Sequence, residues 1–181
     1  RGALTVTQAG SAGSAPEGLG GRLRLAGTSV TQAGTINLPA GTVELQATSG
    51  DVVLAAGSVT RAGGVEKNFG GTSAFADAGR IVLTADGGNV VIAKASGQGA
   101  ASLIDVAAQS GGGSGGEVEI NAVNGQLTLG GNLAGQGGTN GLGGSFVADV
   151  KQITALDDVA DALAGKGFTE RLDLRVRSGS Q

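Results

Sequence analysis

Hydrophobic and polar residues alternate in short runs that recur along the chain. Residues 41–55 align without gaps on residues 79–93, and both align on residues 116–130. Each copy starts at a glycine (Gly41, Gly79, Gly116) and passes through an alternating triplet (Val43/Leu45, Ile81/Leu83, Val118/Ile120) to an alanine (Ala47, Ala85, Ala122). It then turns at Gly50, Gly88 or Gly125 and enters a second triplet (Val52/Leu54, Val90/Ile92, Leu127/Leu129). Period-two alternation in runs this short, bounded by glycine and Asp or Asn, predicts half-buried strands. A third, weaker strand is predicted within residues 58–63, 102–107 and 132–134. Residues 5–10 and 29–34, Thr-Val-Thr-Gln-Ala-Gly and Ser-Val-Thr-Gln-Ala-Gly, match the Ser-Val-Thr-Arg-Ala-Gly of 58–63 so closely that they are assigned to the same third element.

Three short strands per repeat, with turns too brief to bury a helix, predict an all-β chain folded as a parallel β-helix. Each repeat is one coil stacked on the next. Coils are expected to start near Gly21, Gly41, Gly79, Gly116 and Gly144, so that residues 1–181 form a single unit of about five coils. The starts are unevenly spaced, yet the strand-bearing part stays constant. The excess falls mostly after the third strand, in glycine-rich tracts at 63–78, 109–115 and 135–143, with a smaller excursion at 96–100. Most loops should therefore emerge at one corner. Two coils per long repeat would also fit the length, but the glycine tracts lack the inward triplets this needs. Near the C-terminus, Thr154 and Asp157 resemble a capping box, and Leu156, Val159, Ala160 and Leu163 share one face before Gly165. This predicts a short helical insertion over about 154–165 within the fifth coil. A strand follows with Leu172, Leu174 and Val176 alternating with Arg171, Asp173, Arg175 and Arg177.

Composition narrows the chemistry. The chain has 37 glycines and four phenylalanines, and no Tyr, Trp, His, Cys or Met. Without histidine or cysteine there is no imidazole base, no Ser-His-Asp or Cys-His pair, no His- or thiolate-held metal and no disulfide. No enzymatic activity, cofactor or metal is expected. A hydrophobic fraction of 40% and a mean hydropathy of +0.15 oppose disorder despite the glycine. The net charge is only -3 and basic residues form no stripe, so nucleic acid is not an expected partner. The densest apolar run, residues 52–56, is far too short to span a bilayer, so no transmembrane segment is expected. The chain begins at Arg1 without a leader, which suggests a piece of something longer.

Several motifs have a bland reading that prevails. The glycines of 111–116 match G-x-G-x-x-G but lead into a strand, where a phosphate loop must open a helix. Residues 112–120 approach the calcium-binding nonapeptide, but Glu119 occupies its apolar position and no second copy stacks above. Asp157 and Asp158 suit the start of a helix better than a catalytic dyad, since adjacent helical residues face apart. Asp51, Asp86, Asp105 and Asp149 do not align as a cluster, and the Thr5/Thr7 pair does not recur as an ice-binding row would. The longest loop, 65–75, is the best candidate for binding: Lys67, Asn68, Phe69 and Phe75 would supply receptor contacts at its tip. Against this, Phe69 or Phe75 would gain by folding back onto the coil.

Taken together, G-x-V-x-L-x-A-x-x-G-x-V-x-L, a Val-Thr or Ile-Asp-Val strand, a Gly-Ser-Gly-Gly tract and a restart resemble the shaft repeats of filamentous-haemagglutinin-type exoproteins. These are the secreted partners of bacterial two-partner secretion. Residues 102–120 and 167–179 carry the likeness most clearly, and it runs through nearly the whole chain. The resemblance implies a right-handed parallel β-helix shaft, secreted to or displayed on the surface of a Gram-negative bacterium and serving adhesion. Its implied partners are a host or bacterial cell-surface receptor or glycan, neighbouring coils, and an outer-membrane transporter for the full-length protein. Absence of cysteine suits a chain exported unfolded. The family's amino-terminal secretion domain, with its Asn-Pro signature, has no counterpart here: Pro16 follows Ala15 and Pro39 follows Leu38. The alternative from another class is a β-helical protein that binds or degrades polysaccharide.

Overall fold

The strands lie where the alternation predicts them, and their pairing shows how the repeats meet. The computed structural model describes residues 2–8, 18–97 and 99–178. It opens with β1 (Leu4–Val6), followed by a pass of three strands, β2 (Arg22–Gly27), β3 (Val30–Gln32) and β4 (Thr35–Asn37). The next pass is β5 (Thr42–Ala47), β6 (Val52–Leu54) and β7 (Val59–Arg61), after which a hairpin, β8 (Val65–Phe69) and β9 (Thr72–Ala76), leaves the stack. Then come β10 (Arg80–Ala85), β11 (Val90–Ile92) and β12 (Leu103–Asp105), and next β13 (Glu117–Leu129) and β14 (Asn132–Ala134). The chain closes with β15 (Ser145–Ile153), the helix α1 (Leu156–Leu163) and β16 (Arg171–Val176). It is mostly β-strand with one short helix, and its parallel sheets form a nearly closed, barrel-like arrangement.

Every strand outside the hairpin pairs in parallel with its counterpart in the adjacent pass. Leu23, Val43, Ile81, Val118 and Phe146 stand in one inward column that runs on in register to the exposed Leu172, and Val30, Val52, Val90 and Leu127 stand in a second. Ile36, Thr60, Ile104 and Leu133 form a third. The pairing of β5 directly with β10 gives each long repeat a single pass, which removes the two-coil alternative. Because β13 runs through the corner between the first and second positions, these two faces form one ten-stranded sheet; the third is a separate four-stranded sheet. Burying each inward Val, Leu or Ile is worth roughly 1.5 to 3 kcal/mol, against about 1 to 2 kcal/mol of backbone entropy for every residue ordered. A lone pass with four to six inward residues cannot hold, so each depends on the passes above and below.

The glycines that open the repeats are required by that stacking. Gly79 lies directly against Gly41, and Gly116 against Gly79; a Cβ at either position would penetrate the carbonyl oxygen of the glycine below. At the next corner, aligned polar residues tie the passes together. The Asp51 carboxylate accepts the Asn89 backbone N–H at 2.7 Å, and the Asn89 side-chain oxygen accepts the Gln126 backbone N–H at 2.9 Å.

On the outer face of the first sheet, charge changes sign between passes. Arg22 pairs with Glu44 at 2.6 Å, and Arg80 pairs with Glu117 at 2.9 Å and with Glu119. Asp149 takes two hydrogen bonds from Arg177, at 2.6 and 2.7 Å, which hold its carboxyl below the usual carboxylate range.

Four sequence expectations are corrected. Residues 29–32 belong to the second element: β3 pairs with β6, and β1 with β3, in a register that sets Leu4 on Val30. Similarity to residues 58–61 misleads because Gln32, matched to the outward Arg61, points inward in the column of Leu54, Ile92 and Leu129. It survives there through hydrogen bonds. Its amide donates to the carbonyls of Gly34 (3.1 Å) and Val59 (3.0 Å), and its oxygen accepts the Gly34 N–H (2.7 Å). Residues 9 and 10 of the matching stretch at 5–10 lie outside the described residues.

The second correction concerns the helix, which starts at Leu156 without a side-chain cap; the Thr154 hydroxyl instead meets that of Thr128 at 2.9 Å. Third, β16 pairs with β15 along the first sheet, so it begins a further pass rather than completing the fifth. Helix α1 takes the third position of the fifth pass, with Val159 buried and contacts to β13 and β14. Fourth, most of the 63–78 tract is the β8–β9 hairpin rather than a loop.

Two outcomes are expected from this geometry. Gly116→Ala should destabilise by about 3 kcal/mol or more in a denaturant melt. Gly18→Ala, which has open space around it, should stay within about 0.5 kcal/mol of wild type. Because the chain lacks cysteine, paired cysteines report register without background. The outward, paired positions Val53 and Val91 stand one rung apart, about 4.8 Å. Val53→Cys with Val91→Cys should close a disulfide under mild oxidation. Val53→Cys with Thr128→Cys, two rungs apart at about 9.6 Å, should not.

Candidate functional site

The largest departure from the stack is the hairpin. Its turn, Gly70-Gly71, has φ of 60° and 97°, a conformation open to glycine and strained for most other residues. The Asn68 side-chain oxygen accepts the Gly71 N–H at 3.0 Å and closes the turn. Strand alternation then divides the four predicted contact residues. Lys67 pairs with Ala74 and Phe69 with Thr72, placing Lys67, Phe69 and Val65 on one face. Asn68 and Phe75 lie on the other, with Glu66 and Ser73.

The two aromatics have opposite fates. Phe75 is half-buried, with its ring over Gly111 and Gly112, so the glycine tract that imitates a phosphate loop is a seat for this ring. That side of the hairpin is fastened further: Gln109 Nε2 donates to the Gly64 carbonyl at 2.8 Å, and the Ser114 N–H donates to Asp77 at 2.6 Å. Phe69 stays 68% exposed at the tip. The expectation that Phe69 or Phe75 folds back is met by Phe75, while Phe69 remains exposed.

The opposite face of the hairpin walls a cleft of about 490 Å³. Val65 and Lys67 line this wall, Asn37, Arg61 and Asp105 line the floor, and Leu19 and Pro39 line the far side. The floor residues occupy one register position of the third sheet on successive passes, so their side chains rise from adjacent rungs. Arg61 Nε donates to Asp105 at 2.7 Å, which engages the cleft's carboxylate. Lys67 has no hydrogen-bond or ion-pair partner among the described residues. Lys67 is thus the one predicted residue in the cleft. The sequence reading passes over Asn37 and Arg61 and discounts Asp105 as unclustered, although aligning the third strands places 61 and 105 at the same position.

Two other recesses have different character. One, of about 290 Å³ beside α1, balances Lys94 and Lys166 against Asp158 and Asp161. The other, of about 440 Å³, follows the glycine corner between Asp77, Arg80, Glu117 and Glu170. Glu117, the acidic residue of the calcium-like stretch, is already paired with Arg80. Among the described residues, no helix is long and apolar enough to cross a membrane, and no group of three acidic residues has metal-binding geometry. Comparison with family models, with curated proteins and with solved structures finds no match.

The division of the hairpin gives a direct expectation. Phe75→Ala should lower stability by roughly 1 to 3 kcal/mol, through lost packing on the glycine seat. Phe69→Ala should leave the melting midpoint within error of wild type. A thermal melt of both variants measures the contrast.

Proposed function

We propose that this chain is a length of right-handed parallel β-helix shaft from a large secreted bacterial surface protein of filamentous-haemagglutinin type, and that it serves adhesion without catalysis. The observation that carries the reading is the register. Successive passes set like residues on like residues in three inward columns while excess length is expelled at the corners, which is how a stacked coil accommodates unequal repeats. The sequence resemblance to shaft repeats supports the same conclusion.

Adhesive contact falls to the hairpin, the element whose backbone leaves the stack and whose tip carries an exposed Phe69 beside Lys67. Aromatic and cationic groups on a projecting, turn-locked element are suited to contact a receptor or glycan on another cell. Export of the full-length protein would use an outer-membrane transporter, with the chain crossing unfolded and stacking at the cell surface. The polysaccharide-degrading alternative is disfavoured by the pairing of Asp105 with Arg61, which leaves the cleft carboxylate engaged. The binding half of that alternative is compatible with the same cleft.

Beads coated with the purified chain should bind epithelial or bacterial cells saturably. Phe69→Ala combined with Thr72→Ala should reduce that binding about tenfold with an unchanged far-UV spectrum. Absence of saturable binding to any cell surface would overturn the adhesive reading, and full binding by the double variant would remove the hairpin tip from it.

A further inference from the structure

We infer that the cleft between β8 and the third sheet is a binding site for a saccharide bearing a single carboxylate, of the uronic- or sialic-acid class. The inference deepens the contact role proposed above and rests on it for the biological setting.

Charge provides the first argument. In a molecule of net charge -3, the cleft brings together two cations, Arg61 and Lys67, and one acid, Asp105. The acid is spent on Arg61, and Lys67 is unpartnered among the described residues, so one positive charge is left over. One ligand carboxylate balances it. A densely sulfated or phosphorylated chain would bring further negative charges beside Asp105, with no cation to meet them.

Geometry provides the second. Asn37, Arg61 and Asp105 sit on consecutive rungs about 4.8 Å apart, so the floor is a ladder of polar groups and not a single contact point. The Asn37 amide can donate and accept, and Arg61 keeps donors beyond the one it gives to Asp105. Together they suit vicinal hydroxyls. Leu19, Pro39 and Val65 offer apolar walls to the C–H faces of a sugar ring, and about 490 Å³ lies within the range of small-ligand sites. The wall that carries Lys67 is held by the Phe75 seat and by the bond from Gln109 to the Gly64 carbonyl, so the site is formed before the ligand arrives.

The test is calorimetric titration of the whole chain with a glucuronic-acid-terminated disaccharide, its methyl ester and the neutral glucose-terminated analogue. The acid should bind at least tenfold more tightly than the ester or the neutral sugar, and more weakly as salt rises. Lys67→Gln should reduce acid binding about tenfold, and Lys67→Arg should retain it; thermal melts confirm that both variants fold. Equal affinity for acid and neutral sugars, undiminished binding by Lys67→Gln, or preference for an acidic peptide over the acidic disaccharide would each overturn the inference. Cell adhesion that persists without any disaccharide binding would overturn this site alone and leave the hairpin tip as the contact.

Discussion

Parallel strands stack about 4.8 Å apart, and in this chain that distance governs what any residue can be. An inward side chain has its counterparts one rung above and one rung below, so a Leu or Ile is secure only if the neighbouring passes place apolar residues in the same register. The corners obey the same spacing more severely. Where Gly41, Gly79 and Gly116 meet, the backbones approach until no Cβ fits between them. The unusual composition follows from this constraint: a narrow core filled with aliphatic side chains, few aromatics, and glycine wherever successive turns crowd.

Elements that recur were therefore legible in the sequence. The triplets at 43–45, 81–83 and 118–120 announce their face by alternation and their partners by alignment, and the ladder follows that alignment residue for residue. Legibility fails where a residue departs from its column for a reason that only the packing shows. Gln32 reads as an outward polar residue because its neighbours match those of Arg61, yet it is buried, and its amide is satisfied by backbone groups that sequence cannot place. Thr154 reads as a helix cap, but the rung below offers the Thr128 hydroxyl first. The strand at 171–176 shows its inward and outward faces plainly, but not whether it ends one pass or begins another, since both have the same alternation.

The candidate site was half legible for a related reason. Residues that project from the stack stand out as a break in the repeat, and this brought Lys67, Asn68, Phe69 and Phe75 to notice. A site between a projection and the stack also needs residues from the stack itself, and Asn37, Arg61 and Asp105 look like routine outward positions until the hairpin is folded beside them. The antiparallel pairing of the hairpin then divides the four predicted residues between two tasks. One face anchors through Phe75, and the other offers Lys67 and Phe69 to whatever approaches.

A stack of near-identical layers faces one characteristic error, in which a layer docks on the wrong neighbour and still finds its apolar columns matched. Purely aliphatic columns discriminate poorly against that mistake, because Val, Leu and Ile are nearly interchangeable. Buried Gln32 behaves differently: it meets the backbone of Val59 and the hydroxyl of Thr60, which is the polar residue of the third column. Docked on the passes that carry Ile104 or Leu133 in that column, its amide would lose the hydroxyl. The junction between the first and second passes thus carries an address that the apolar rungs lack.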